Sequence, residues 1–118
     1  MNEATEHLVA VGRLDDIPRQ GARVVRTAFG DLAVFRTADD GVFALRNACP
    51  HRGGPLSEGI VHGRSVTCPL HNWVISLETG EVEGPDHGCT AVIGVSVADG
   101  VVRLDLSRLA AAMAVAAE

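Results

Sequence analysis

Two short loops of this sequence each carry a cysteine and a histidine, residue types whose side chains bind transition metals. The first unit reads "CPH" from Cys49 to His51, and the second reads "CPLH" from Cys68 to His71. Thiolates and imidazoles suit iron–sulfur centres, zinc or copper, whereas a hard ion such as magnesium prefers oxygen ligands. Either unit alone is a weak signal. Because each loop supplies one sulfur and one nitrogen, the pair predicts a metal centre held by all four side chains.

Two kinds of metal centre fit this ligand set. A single zinc ion would gather the four ligands into one structural site. A binuclear iron–sulfur centre would instead place two thiolates on one iron and two imidazoles on the other. Zinc fingers usually pair cysteine with cysteine and histidine with histidine, commonly with the histidines on a helix. Here each unit is mixed and lies among predicted strands and loops, so the pattern favours iron–sulfur and leaves zinc as the alternative.

The residues after the first unit suit a tight approach of backbone to a metal centre. Gly53 and Gly54 have no Cβ, so the chain can come close and adopt conformations that other residues avoid. Pro50, Pro55 and Pro69 restrict the backbone of the two loops. We therefore expect both loops to be stiff.

The elements that must position these loops are short β-strands. Apolar, β-branched runs broken by turn residues predict strands at 7–12, 22–28, 31–37, 41–47, 65–68, 73–77 and 90–97. Asp40-Gly41 and Asp99-Gly100 are typical of hairpin turns, which demand positive φ angles. Strands at this spacing, with almost no helical periodicity, predict an all-β fold, either an antiparallel sandwich or a barrel.

Helical signals are confined to two places. Residues 13–18, "RLDDIP", are compatible with a single turn. In the Ala-rich tail, 107–118, Ser107 could cap a short C-terminal helix formed by the strong helix formers behind it. A helix of this length is marginal in water, so the sequence leaves open whether the tail packs or frays.

Composition limits the classes of function. The 118 residues are 47% hydrophobic and 21% charged, which predicts one globular domain. With 15 acidic residues against 10 basic ones, the net charge of −5 argues against a nucleic-acid partner. The sequence shows neither a secretory signal nor an apolar run of about 18 residues, so we expect a cytoplasmic protein that no membrane anchors. Its three cysteines then favour metal or redox chemistry over a disulfide framework.

The stretch "CPHRGGPLSEG" followed by "VTCPLHNWVISLETGEV" resembles the Rieske 2Fe-2S signature, and the likeness extends over about residues 42–106. The resemblance implies an antiparallel β fold with an inserted cluster-binding subdomain and one 2Fe-2S cluster. It also implies that Cys49 and Cys68 bind the inner iron, while His51 and His71 bind the outer iron. We therefore predict a Rieske-type domain over 1–106, with cluster-binding loops at about 48–73, and a tail at 107–118.

Within the Rieske proteins, respiratory-complex members carry an extra cysteine in each loop, which this sequence lacks. The stretches "PLSEGIV", "CPLHNW" and "PDHGC" (85–89) are most similar to the small subunit of assimilatory NAD(P)H-dependent nitrite reductase. That resemblance implies an electron-transfer subunit that is not catalytic alone. Its partner would be a large sirohaem and FAD subunit that reduces nitrite to ammonium. The alternative is a Rieske ferredoxin for an aromatic-ring-hydroxylating oxygenase, with a reductase and an oxygenase as partners.

Other chemically notable residues receive structural interpretations. We predict that Cys89 is a buried thiol outside the ligand set and that Trp73 belongs to the core. His7, His62 and His87 have no partner motif, and we expect them to be structural or solvent-exposed.

Overall fold

Antiparallel strands build the protein, shown here by a computed structural model that describes residues 8–28, 30–50, 54–70, 72–84 and 88–107. Within the described residues, short 3-10 turns lie at Leu14–Asp16 and Leu56–Glu58. The strands are β1 (Leu8–Arg13), β2 (Gly21–Thr27), β3 (Gly30–Arg36), β4 (Val42–Arg46), β5 (Ile60–His62), β6 (Ser65–Thr67), β7 (Val74–Ser76), β8 (Val92–Ala98) and β9 (Val101–Asp105). The predicted all-β class is confirmed.

The strands form two sheets. The main sheet has the order β1-β9-β8-β4-β3-β2, and the small sheet has the order β5-β6-β7. Every strand pairing is antiparallel. Because the small sheet lies between β4 and β8 in the chain, it is an insertion into the main sheet, as the family resemblance implied.

Strands β3 and β4, which are neighbours in the main sheet, separate two hydrophobic cores. On one face, Phe35 and Leu45 pack with residues of the small sheet and with both predicted cysteine ligands. On the other face, Val34 and Ala44 pack with strands β8 and β9 and with Ile17. The run Leu32–Thr37 is buried without alternation because both faces of β3 are covered. The small sheet is therefore held in place by the core it shares with the main sheet.

Both predicted hairpins are present. Asp99 and Gly100 have φ of 54° and 76° and join β8 to β9 as a two-residue turn between the paired Ala98 and Val101. Asp40, with φ 66°, lies in a longer connection in which the Thr37 N–H donates to the Gly41 carbonyl at 2.8 Å. Left-handed backbone at Asp40, and at both Asp99 and Gly100, sets the register of the strands on either side.

Strand β5, Ile60–His62, was not predicted. Glycines on both sides and only three residues make it look like loop, and its strand character comes from pairing with β6. The other strand predictions are correct to within two residues at each end, and the predicted turn at 13–18 is the 3-10 turn Leu14–Asp16. The predicted C-terminal helix lies outside the described residues apart from Ser107.

A charged cluster ties the β3–β4 connection to the segment before β2. Arg36 is only 8% exposed, and its Nη1 donates to the Ile17 carbonyl at 2.9 Å. Its Nε donates to Asp40 Oδ1 at 2.9 Å, and the Arg19 Nε donates to the same oxygen at 3.0 Å. The hydrogen bond from Arg19, followed by that from Arg36, lowers the pKa of Asp40 to about 2.

Replacing Asp40 by asparagine is expected to destabilise the fold at neutral pH and to have a smaller effect at pH 3. The folded-state pKa of Asp40 lies below the usual 3.8, so its contribution is present above about pH 4 and is lost as the pH falls towards 2. Asparagine tolerates the left-handed backbone at this position, so the variant removes mainly the charge. Urea unfolding of Asp40→Asn and wild type at pH 7 and pH 3 measures the difference.

The matched control is Asp31→Asn, an exposed aspartate elsewhere on β3. It should shift the urea midpoint less than Asp40→Asn at pH 7. A difference between wild type and Asp40→Asn that stays constant from pH 7 to pH 3 would contradict the assignment.

Candidate metal centre

The first loop leaves β4 and closes on itself through a backbone hydrogen bond. The Cys49 N–H donates to the Gly54 carbonyl at 2.8 Å, so the described residues on either side of 51–53 are held close together. Below it, the Ser57 N–H donates to Asn47 Oδ1 at 2.8 Å and ties the start of the loop to its end. Cys49 is 3% exposed. The loop thus presents a buried thiol at a fixed point of the backbone.

The second loop follows β6 and has a similar construction. The Cys68 N–H donates to the Trp73 carbonyl at 2.7 Å, and the Asn72 N–H donates back to the Cys68 carbonyl at 3.2 Å. Asn72 has φ 59°, which lets the turn close within a few residues around His71. Cys68 is 1% exposed, so the second thiol is buried as completely as the first.

Gly54 is the point at which the two loops come together. A Cβ at this position would lie 2.7 Å from Leu70 Cδ1 and 3.3 Å from Cys68 Sγ. The same residue accepts the hydrogen bond from Cys49, so it links the two thiol-bearing turns directly. Glycine is needed here for close approach, as the sequence predicted. The contact with Leu70 could not be foreseen, since it joins residues on different loops.

A third segment packs beside the two loops. A Cβ on Gly88 would lie 3.2 Å from Pro50 Cβ and 3.6 Å from Trp73 Cζ3, so Gly88 contacts one residue of each loop. The Val82 N–H donates to the Gly88 carbonyl at 3.0 Å, and this hydrogen bond ties Gly88 to the chain that follows β7. Trp73 is partly buried against the core, as predicted. The only sequence signal for this third contact was the "PDHGC" stretch.

Cys89 is exposed, so the prediction of a buried thiol was wrong. Gly88 is also exposed although it lies against Pro50 and Trp73, so the chain runs along the protein surface at this point. The isolated bridge between Cys89 and Glu81 lies at the margin of the small sheet. His62 is exposed, as expected, and its Nε2 lies 2.7 Å from Thr67 Oγ1.

The structure brings together Cys49 and Cys68, both members of one buried core cluster. His51, His71 and His87 lie outside the described residues. Within the described ranges, no group of three or more His, Cys, Asp or Glu side chains could hold a metal ion. Two buried thiols on adjacent loops, with no disulfide between them, nonetheless fit a soft metal centre. No helix in the described part of the chain is long and apolar enough to cross a membrane.

Two buried cysteines on adjacent loops of an inserted sheet define a class of small β protein that binds a metal centre between those loops. Residues 7–96 match the Rieske [2Fe-2S] domain, and the chain belongs to that family. It is therefore an electron-transfer domain with a Rieske-type 2Fe-2S cluster, which decides between the iron–sulfur and zinc interpretations in favour of iron–sulfur.

Curated relatives include both small carriers and large enzymes. The chain is 36% identical over 76 residues to the anthranilate 1,2-dioxygenase ferredoxin subunit of Burkholderia cepacia, covering 64% of this chain and 69% of that protein. It is 45% identical over 62 residues to the 4beta-methylsterol monooxygenase of Methylococcus capsulatus. That match covers 52% of this chain and only 16% of the monooxygenase.

Solved structures show the same fold in two functional settings. A chain from the complex of oxygenase and ferredoxin in carbazole 1,9a-dioxygenase has a TM-score of 0.75 at 28% identity, covering 84% of this chain and 93% of that one. A protein described as the small subunit of an NADPH nitrite reductase has a TM-score of 0.74 at 26% identity, covering 82% of this chain and 96% of that one.

Proposed function

We propose that Cys49 and Cys68 bind one iron of the cluster and that His51 and His71 bind the other. The burial of both thiols and the backbone hydrogen bonds at Cys49 and Cys68 support the cysteine part of this set, and the spacing of the sequence motif supports the histidines. The cluster-binding loops then run from about 48 to 73 within a domain that spans 1–106, and the tail at 107–118 lies outside it.

When bound, the cluster accepts and releases one electron at a time. The chain's own residues hold the thiol positions fixed through short backbone hydrogen bonds and exclude water from both sulfurs. Leu70, next to His71, is 51% exposed, so the second loop reaches the protein surface. A rigid, buried sulfur side and an exposed loop tip suit electron exchange with another protein, because little rearrangement accompanies the transfer.

We infer that this partner is the large subunit of an assimilatory nitrite reductase, which would reduce nitrite with NAD(P)H. The inference is carried by the stretches "PLSEGIV" (55–61) and "PDHGC" (85–89), which resemble that subunit. Gly88 of the second stretch lies beside Pro50 of the first cysteine loop. The solved nitrite reductase small subunit, 96% of which aligns with this chain, supports it. NAD(P)H chemistry of this kind accords with a cytoplasmic location.

The second candidate partner is an aromatic-ring-hydroxylating oxygenase served by a reductase. The 36% identity to the anthranilate dioxygenase ferredoxin subunit favours this function. The two candidates share the cluster and differ only in the protein that receives the electron.

Reconstitution distinguishes the candidates. The holo-protein is added separately to a sirohaem nitrite reductase large subunit and to an oxygenase with its reductase. We expect co-elution with the large subunit and an increase in nitrite consumption driven by NAD(P)H, with no gain in hydroxylated product from the oxygenase. A gain in hydroxylation without binding to the large subunit would assign the protein to the second candidate. No effect on either system would overturn both.

A further inference from the structure

The outer face of the small sheet is the side turned away from the core, and it is exposed at Ile60 and His62 and partly buried elsewhere. Register pairs Ile60 with Thr67 and His62 with Ser65, and places Val74 beside Thr67. The alternate residues Val61, Val66 and Ile75 are buried in the core, so this set lies on the opposite side. We define the outer face by the residues Ile60, His62, Ser65, Thr67, Val74 and Ser76.

The outer face carries two large apolar side chains, Ile60 and Val74, on either side of Thr67, and we call this row its apolar centre. Ile60 is 70% exposed, more than any other large hydrophobic residue among those described. Leu70, 51% exposed, is a second exposed apolar residue and lies three residues after Thr67, on the second cysteine loop beside Gly54. Thr67 directly precedes Cys68, so a protein seated on the outer face would lie against the second cysteine loop.

The described part of the insertion that carries the outer face has more acidic than basic side chains. Residues 54–84 carry four glutamates and one arginine in their described part, whereas the described residues of 8–50 and 88–107 carry seven aspartates and seven arginines. Among the described residues, the excess negative charge therefore lies on the cluster-binding insertion. Glu83 borders the outer face directly, because its carboxylate accepts a hydrogen bond from the Ser65 hydroxyl.

Arg64, the one arginine among the described residues of the insertion, does not compensate this charge on the outer face. Arg64 lies 5.7 Å above the Phe43 ring centroid, and its guanidinium is 3.9 Å from carboxylate oxygens of Asp39 and Glu78. Phe43 and Asp39 belong to the main sheet and its β3–β4 connection, so Arg64 is directed towards them.

We propose that the outer face, with Leu70, is the docking surface for the redox partner, and that the partner presents an apolar centre ringed by lysine and arginine. The proposal rests on the proposed electron-transfer function and adds the surface and its chemistry. A second copy of the chain is a poor occupant, because pairing two outer faces would oppose glutamates with glutamates. A basic partner instead gains attraction, which accelerates encounter at low salt.

Two substitutions test the apolar centre. Ile60→Thr keeps a β-branched residue on β5, and Val24→Thr is its matched control, since Val24 is a 40% exposed valine on β2 of the main sheet. Binding of each holo-protein to the nitrite reductase large subunit and to the oxygenase is measured by calorimetry. We expect Ile60→Thr to raise Kd about tenfold for the partner that wild type binds, as a central apolar contact does, and Val24→Thr to leave it within about twofold.

A second test needs no partner protein and measures how surface charge affects the rate of electron transfer. The reduced holo-protein is oxidised by hexaamminecobalt(III), which takes one electron to become cobalt(II). With this cationic oxidant the rate should fall as salt rises, and Glu83→Gln should weaken that dependence. Asp31→Asn, an exposed aspartate of the main sheet, should leave the salt dependence unchanged.

The outcomes separate the docking surface from the partner's identity. Equal binding of Ile60→Thr and Val24→Thr to a partner that wild type binds would overturn the surface, as would a cobalt reaction insensitive to salt. Self-association of the wild type that Ile60→Thr abolishes would also overturn it, by assigning the face to a second copy. Wild type that binds neither partner would refute the proposed function, and the cobalt reaction would still decide whether the cluster-binding end attracts cations.

Discussion

Cys68→Ser is expected to leave a folded protein that contains almost no iron. Serine has nearly the same shape as cysteine, but its hydroxyl is not ionised near neutral pH and is a poor ligand for a soft metal. Cys68 is 1% exposed and lies beside Gly54, so no other thiol within the described residues replaces it. Iron per protein and visible absorption should fall roughly tenfold or more, and Cys49→Ser should behave alike.

Cys89→Ser is the matched control for the two ligand substitutions. Cys89 is exposed, whereas Cys49 and Cys68 are buried, so this variant should retain the iron content and spectrum of wild type. Far-ultraviolet circular dichroism of all three variants separates loss of the cluster from loss of the fold. Full iron in Cys68→Ser, or a large loss in Cys89→Ser, would refute the ligand assignment.

Gly54→Val is expected to separate the two loops and weaken cluster retention. A Cβ at this position already meets Leu70 Cδ1 at 2.7 Å and Cys68 Sγ at 3.3 Å, and valine adds two methyl groups. Overpacking of this kind costs about 1–3 kcal/mol in the free energy of unfolding. Urea unfolding and the rate of iron release to a chelator both measure the effect.

Gly54→Ala should lie between wild type and valine, because the half-exposed Leu70 side chain can move away while the Cys68 sulfur cannot. The control is Gly94→Val on β8, where a Cβ would meet only Asp105 side-chain atoms, the nearest at 3.3 Å. This variant should release iron at the wild-type rate. If Gly54→Val and Gly94→Val released iron equally fast, the close approach of the loops would not be what retains the cluster.

Much of the fold could be predicted because its determinants are local. Alternating β-branched runs specify strands, and Asp-Gly pairs specify turns through the backbone angles of one or two residues. The hairpin at Asp99 and Gly100 has the positive φ angles that its residue types predict. Strand β5 escaped prediction because three residues between glycines carry too little local preference, and pairing with β6 supplies the rest.

Within the site, residue types were predictable and residue environments were not. The family match to residues 7–96 confirms the kind of centre that the spacing of cysteine and histidine indicated. The exposure of Cys89 depends on how the segment at Gly88 lies against Pro50, a contact between residues distant in sequence. No local pattern encodes it.

By itself, then, the sequence determined the ligand chemistry, the β class and the turns, since each depends on residue type or on neighbouring backbone angles. Only the tertiary structure decided which thiols are buried and that Gly54 brings the cysteine loops into contact. It also decided that Ile60 is exposed, on an insertion whose described residues carry an excess of negative charge. These properties arise from packing between segments far apart in the chain, and burial and contact are fixed only when those segments meet.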